Sequence, residues 1–324
     1  MKAKEKIQAL QALMKKEGID GYLIPSSDPH MSEYLPDGTE LTGTGWALQN
    51  PKDYIDVLKY IIPEAVAQSG VSSKDIIGIG LDFTSCTMLP VDENNVPLCL
   101  LVKNVSRPHA WVKLWKHHGA QKQADEINEL LKKRGEIDNI QFGGKISSEL
   151  LLPKILQIVE EDPELYDEAA SFLEVGDWLT QILTNGRKRS GNLAGYKAMW
   201  TPETGYPSKD FLLQLSPKLE NLTEDKLGDD ITLAGQPVGY LTEDWAKELG
   251  LCAGIPIATA VIDSHAGMPG SGVNKSDQMM MVLGTSSVML ALSENGYSKN
   301  GVVSGIKGAI LPKKYALESG LAAV

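Results

Sequence analysis

Ile7, Leu10, Leu13 and Met14 fall on one face of residues 3–16 and predict a helix, which Gly18 breaks before a short strand at 21–24. Residues 36–51 are rich in Gly, Thr and Pro and predict a connection without regular structure. From 53 to 68 the apolar positions Ile55, Val57, Leu58, Ile61, Ile62 and Val66 predict an amphipathic helix, with Asn50 as its cap and Pro51 near its first turn. The run Ile76-Ile77-Gly78-Ile79-Gly80-Leu81 predicts a buried strand ending at Asp82. Residues 111–133, 149–160 and 172–183 have helical patterns, and 185–208 are rich in loop-forming residues. A second rhythm starts near Thr242 with a helix over 243–249, Gly254 as punctuation, and strands at 258–262 and 279–283. The small apolar run 317–324 has no cap and predicts a helix that continues and must be packed, so the chain reads as cut short there.

Alternating helix and strand patterns imply an α/β fold, and 324 residues at 42% hydrophobic content suffice for about two domains. A net charge of -11 argues against a nucleic-acid or acidic-membrane surface, and Arg187-Lys188-Arg189 is too short a basic cluster to change that. Cys86, Cys99 and Cys252 have no CxxC spacing and read as small reduced core residues, neither a disulfide scaffold nor a zinc site. The N-terminus lacks the apolar core of a signal peptide, and no apolar stretch reaches the length of a membrane helix. The expected compartment is the cytoplasm.

The candidate chemistry lies in Ala258-Thr259-Ala260-Val261-Ile262-Asp263-Ser264-His265-Ala266-Gly267 and Met279-Met280-Met281-Val282-Leu283-Gly284-Thr285-Ser286-Ser287. Each is a strand-like run ending in small polar residues, where open α/β sheets put a base or a phosphate cradle. Asp263 would accept a proton from a hydroxyl, and the Gly284, Thr285 and Ser286 turn would hold phosphate oxygens, the division of labour in phosphoryl transfer. The plain alternatives are a helix cap or turn for Asp263 and an ordinary turn for 284–286. His265 lacks a set of metal ligands around it and reads as a packed or hydrogen-bonded histidine.

From about residue 35 to the end, the sequence resembles the ribulokinases of the FGGY family of carbohydrate kinases. The resemblance rests on a series in order: Trp46-Ala47-Leu48-Gln49-Asn50-Pro51, Gly80-Leu81-Asp82-Phe83-Thr84-Ser85-Cys86-Thr87-Met88-Leu89-Pro90, His109-Ala110-Trp111-Val112-Lys113-Leu114-Trp115-Lys116-His117-His118, Gly143-Gly144-Lys145-Ile146-Ser147-Ser148-Glu149, and Ala194-Gly195-Tyr196-Lys197-Ala198-Met199-Trp200. It implies an actin-like, ribonuclease-H-like pair of α/β domains with sugar and ATP between them, and ATP-dependent phosphorylation of L-ribulose. It also implies that Asp263 is the base, that Ser85 in its loop, Lys197, Asp263 and Glu318 face the ketopentose, and that Gly284, Thr285 and Ser286 form the second phosphate motif. Magnesium is expected to accompany ATP, with Asp82 and Asp263 near it through water and no direct ligand assigned. Without the resemblance, Lys197 reads as a solvated loop lysine, Glu318 as an exposed acid and Asp82 as a turn residue.

The family's opening strand, with its Asp-x-Gly-Thr phosphate motif, has no counterpart here, because Asp37-Gly38-Thr39 follows Pro36 and a polar stretch. The family's adenosine-binding portion would lie beyond Val324. Residues 7–34 instead look like the opening of the creatinase-like N-terminal domain of X-Pro aminopeptidases, carried by Pro25-Ser26-Ser27-Asp28-Pro29-His30 and Ser32-Glu33-Tyr34. No dinuclear metal series of Asp, His and Glu follows, so peptidase activity is not expected. The expected division is a foreign N-terminal segment at 1–36, a first kinase domain at 37–245 and the start of a second at 246–324. Leu41-Thr42-Gly43-Thr44-Gly45 fits either pattern at the junction. A catalytically inactive sugar-binding remnant is the competing expectation, and sheet edges left without their strands invite self-association into a homo-oligomer.

Overall fold

The computed structural model of the chain describes residues 45–137, 142–283, 287–297, 301–303 and 305–321. The helix and strand expected within residues 1–36 lie outside them, as do Gly284, Thr285 and Ser286. After β1 (Leu48–Gln49), the Asn50 side chain accepts the Lys52 N–H at 3.0 Å and caps helix α1 (Pro51–Ser69), which Gly70 closes in the left-handed conformation at φ 69°. Ile55, Leu58 and Ile62 pack inward as their spacing predicts, whereas Val57 and Ile61 of the same expected face are exposed.

Strands β2 (Asp82–Phe83), β3 (Met88–Val91) and β4 (Val112–Lys113) follow. Helices α2 (Gln121–Arg134), α3 (Leu151–Glu161) and α4 (Pro163–Glu168) precede β5 (Ser171–Glu174), which runs directly into α5 (Val175–Thr184). One antiparallel sheet has the order β1-β4-β3-β5. Helix α3 is buried from Leu151 to Val159 and forms the main core with Met88, Cys86, Cys99, Ile127 and Phe172. A helix buried all round must satisfy its polar side chains internally. Lys154 Nζ accordingly donates to the Cys86 and Leu114 carbonyls at 2.7 and 2.8 Å, and Gln157 meets His117 Nε2 at 3.0 Å.

The second half of the described chain contains β6 (Arg189–Ser190), α6 (Gly191–Lys197), α7 (Lys209–Leu215), β7 (Ile231–Thr232), β8 (Pro237–Tyr240) and α8 (Glu243–Leu249). Next come β9 (Pro256–Ala258), β10 (Val261–Ile262), α9 (Asp263–Gly270), β11 (Met279–Leu283), β12 (Ser287–Ser293) and β13 (Tyr315–Leu321). β2 and β10 are parallel partners, with Asp82 opposite Val261 and Phe83 opposite Ile262. β8 pairs with β9, β6 with β7, and β11-β12-β13 form an antiparallel sheet. The β2–β10 and β8–β9 pairings both join strands from either side of residue 245.

Several expected elements are replaced. Residues 112–113 and 172–174 are strand, not helix: β4 lies between β1 and β3, and β5 takes the other edge of β3, so sheet hydrogen bonds outweigh local helical periodicity. Within 185–208 the Ser190 hydroxyl accepts the Asn192 and Leu193 N–H groups at 3.1 and 3.2 Å and starts a helix where a loop was expected. The expected buried strand at 76–81 is reduced to one parallel bridge from Ile79 to Ile257, and Ile77 is 86% exposed. Residues 315–321 pair with β12 along its whole length, so the expected terminal helix is a strand. Cys86 and Cys99 are buried free thiols, as expected of core residues.

Candidate active site

Parallel pairing of β2 with β10 brings two strand ends to one edge. β2 leads into the Thr84-Ser85-Cys86 turn and β10 into Asp263, the first residue of α9. Carboxyl ends of neighbouring parallel strands are where α/β sheets form ligand crevices. In the turn, Ser85 is half-buried and Cys86 adopts a left-handed conformation at φ 48°. Lys154 holds the turn from below through the Cys86 carbonyl, and the Val175 N–H donates to the Thr87 carbonyl at 2.7 Å.

Lys197, the last residue of α6, is 15% exposed and lies 3.9 Å from Glu318 Oε1. Glu318 sits mid-strand in β13, its backbone paired with Leu290 on one side and exchanging hydrogen bonds of 2.7 and 2.8 Å with Val303 on the other. Its second oxygen, Oε2, is 2.9 Å from Nε2 of the fully buried His265. His265 is thus a hydrogen-bonded core histidine, the reading its sequence context favoured. Asp263 is exposed, and its own carboxylate accepts the Ser264 N–H at 2.6 Å. Asp82 is exposed on β2.

The electrostatics tie these groups together. Burial alone would push Glu318 up, but Lys197 and the hydrogen bond from His265 overcome it and bring its pKa down to about 2. Burial pulls Lys197 down, yet Glu318 first, then Cys86, Glu149 and Glu174, hold it above its ordinary value. Asp263, exposed at its outer edge, is raised first by partial desolvation from the chain packed around its carboxyl and then by Asp82, against the Ser264 N–H, His265 and Lys197. The result is a carboxylate–ammonium pair that stays charged through the neutral range, beside a carboxylate of increased proton affinity. A polyol fits such a site, its hydroxyls donating to one carboxylate, accepting from an ammonium and losing a proton to the second carboxylate.

Of the expected site residues, the structure joins Lys197 to Glu318 directly, and Asp263 to both through His265, two positions along α9. Ser85 stands on the neighbouring strand end. Gly284, Thr285 and Ser286 are outside the described residues, although the strands flanking them, β11 and β12, pair antiparallel up to Leu283 and Ser287. Two residues of this neighbourhood escaped the sequence reading. Asn192, fully buried, contacts His265, and Glu174, buried at the end of β5, has an Oε2 without a hydrogen-bond partner. Burial, then Asp177, push Glu174 to about 8, against Lys197, Lys154 and the Cys86 N–H. A polar residue inside the run Phe172-Leu173-Glu174-Val175 was the available signal for Glu174. Asn192 was hidden because Gly191, Ala194 and Gly195 erase the helical period.

Among the described residues no cluster of three or more His, Cys, Asp or Glu side chains forms a metal site. Asp263 feels the charge of Asp82 from the neighbouring strand end, so two carboxylates act on one another at this edge. No helix among the described residues is long and apolar enough to cross a membrane.

Comparison with known proteins identifies the family and the fold. The model of the FGGY family of carbohydrate kinases, N-terminal domain, matches residues 31–270. The ribulokinase of Bacillus licheniformis is 46% identical over 279 residues, covering 86% of this chain and 50% of the relative. That of Halalkalibacterium halodurans is 42% identical over 294 residues, covering 91% and 52%. The chain spans about half the length of the curated relatives it matches. Among solved structures, a xylulose kinase from Rhodospirillum rubrum superposes with a TM-score of 0.73 at 16% identity, covering 87% of this chain and 54% of that one. Plasmodium falciparum glycerol kinase with ADP superposes at 0.65 and 17% identity, with the same coverages. These structures share the α/β sugar-kinase fold that the actin-like expectation named. Domain match, sequence identity and fold agree, and the chain belongs to the FGGY family of carbohydrate kinases.

Proposed function

We propose that this chain carries the sugar side of an ATP-dependent phosphotransfer to a ketopentose, L-ribulose being the substrate favoured by its ribulokinase relatives. The observation that carries the reading is the Lys197–Glu318 pair, locked by His265 two residues from Asp263. Lys197 donates to sugar oxygens and Glu318 accepts from sugar hydroxyls, fixing the pentose against the Ser85 turn. Asp263, with its raised proton affinity, takes the proton from the attacking hydroxyl. Mg2+, when bound with ATP, neutralises charge developing between the β- and γ-phosphates. Gly284, Thr285 and Ser286 are the proposed phosphate-facing residues, on the sequence motif alone. The cytoplasm, with its ATP and its reducing conditions for three cysteines, is the compartment that fits.

The test is ADP release from Mg-ATP with and without L-ribulose, with Asp263→Asn as the blank. Sugar-dependent turnover that the variant lacks is expected. A second reading, a sugar-binding polypeptide without turnover, rests on the same Lys197–Glu318 pair. L-Ribulose binding without ADP release in folded protein would select it, and absence of both would refute the sugar-site reading.

A further inference from the structure

Asn192 is fully buried and makes three side-chain contacts, each to a different part of the site. Its Oδ1 accepts the Ile262 N–H at 2.9 Å, in the residue immediately before Asp263. Its Nδ2 donates to the Ala309 carbonyl at 3.0 Å and stands 3.0 Å from His265 Nδ1, which lies 3.3 Å from Oδ1. The amide orientation has one solution, because a backbone N–H can only donate and a carbonyl can only accept. Oδ1 takes the Ile262 N–H, and the second Nδ2 hydrogen has His265 Nδ1 as its nearest acceptor, 3.0 Å away against 3.3 Å between Nδ1 and Oδ1. With Nδ1 as acceptor, the Nε2–H donates to Glu318 Oε2 at 2.9 Å. Tyr196, one helical turn beyond Asn192, packs its ring edge-on to His265 at 4.3 Å and donates its hydroxyl to the Ala316 carbonyl at 2.7 Å in β13. A Cβ at Gly305 would lie 2.1 Å from that ring, at a φ of 50°, so glycine lets the ring lie against the chain.

We infer that Asn192 is a positioning residue that sets the tautomer of His265 and so couples the placement of Asp263, Glu318 and Lys197. One amide fixes the strand end ahead of Asp263, orients Glu318 through the imidazole, and lies on the helix that ends in Lys197. The inference rests on the reading of these three residues as the sugar-facing set, and its test separates the two.

Two measurements on the full chain decide it. In 15N-detected histidine spectra, wild-type His265 is expected as the Nε2–H tautomer, and an Nδ1–H ring would overturn the inference without any substitution. Calorimetric titration with L-ribulose follows. Asn192→Leu keeps the branched shape and heavy-atom count and removes all three hydrogen bonds, and Asn192→Asp keeps the acceptor for Ile262 while removing the donor to His265. Both are expected to weaken ribulose binding about tenfold or more, and the aspartate to draw the ring proton to Nδ1. Lys197→Ala is the control for the underlying reading. If ribulose binding survives Lys197→Ala, the sugar-site assignment fails. If Lys197→Ala abolishes binding and either folded Asn192 variant binds like wild type, the role of Asn192 is refuted. Should Asn192→Leu not fold, the aspartate variant and the wild-type tautomer still decide.

Discussion

Glu318→Gln removes one charge while keeping shape and an acceptor for His265 Nε2. The amide oxygen can face His265, but the NH2 group then faces the Lys197 ammonium, donor against donor, across a contact that is 3.9 Å in the parent. Glu318 is 18% exposed, and its pKa is brought from 4.5 to about 2 by Lys197 and His265 acting against burial. That difference corresponds to about 3 kcal/mol of stability carried by the ionised form. The folded-state pKa is depressed, so this stability is fully present above the unfolded value and is lost as pH falls toward 2. About 2 kcal/mol of it is gone by pH 3. Urea unfolding of wild type and Glu318→Gln at pH 7, 5, 4 and 3 is the assay. The variant is expected to be less stable by about 3 kcal/mol at pH 7 and 5, with the gap shrinking by more than half at pH 3. A gap independent of pH, or equal stability at pH 7, would refute the claim that Lys197 and His265 hold this carboxylate ionised.

Glu174→Gln should have the opposite pH signature. Burial raises Glu174 to about 8, so the folded state's disadvantage grows from the ordinary carboxylate range up to that value. The variant is expected to melt like wild type at pH 4 and several degrees higher at pH 8, and a lower melting temperature at pH 8 would contradict a carboxyl held in its neutral form by burial. Gly176→Ala places a Cβ 2.9 Å from the Ala260 Cβ and 3.3 Å from Leu193, where α5 meets the strand leading to Asp263. A loss of about 1–3 kcal/mol in denaturant unfolding is expected, and an unchanged midpoint would show that this packing yields freely. Burial pushes the Cys86 and Cys99 thiols up to about 12, and Cys252 is half-buried. A chromogenic disulfide reagent should label Cys252 quickly in the folded chain and the other two only in denaturant, and rapid labelling of Cys86 would show the Ser85 turn to be open.

Local signals were legible wherever a segment's fate depends on near neighbours in the chain. The α1 cap at Asn50, the helix over Glu243–Leu249 and the strand Met279–Leu283 follow from capping chemistry and period. Failures occurred where distant partners decide. Residues 172–174 carry a helical pattern, yet β3 offers them a ladder, and the tail at 315–321 pairs with β12 instead of coiling. At the site, Asp263 was legible because a carboxylate ends an apolar run. Lys197 and Glu318, 121 positions apart in the numbering, could be paired only through the family resemblance. Asn192 offered no signal at all, since its importance lies in three partners at 262, 265 and 309.

The sequence alone therefore determined the fold class, the family, the absence of a disulfide framework and the candidate base, because these depend on composition, period and motif order. Tertiary structure decided the rest. Only parallel pairing of β2 with β10 puts Asp263 beside the Ser85 turn, only β13 delivers Glu318 to Lys197, and only the assembled neighbours shift the proton affinities, Lys197 and His265 lowering Glu318 against burial while desolvation and Asp82 raise Asp263. A carboxylate's chemistry is set by the dielectric and the charges within a few ångströms of it, and those neighbours come from chain segments that linear order keeps far apart.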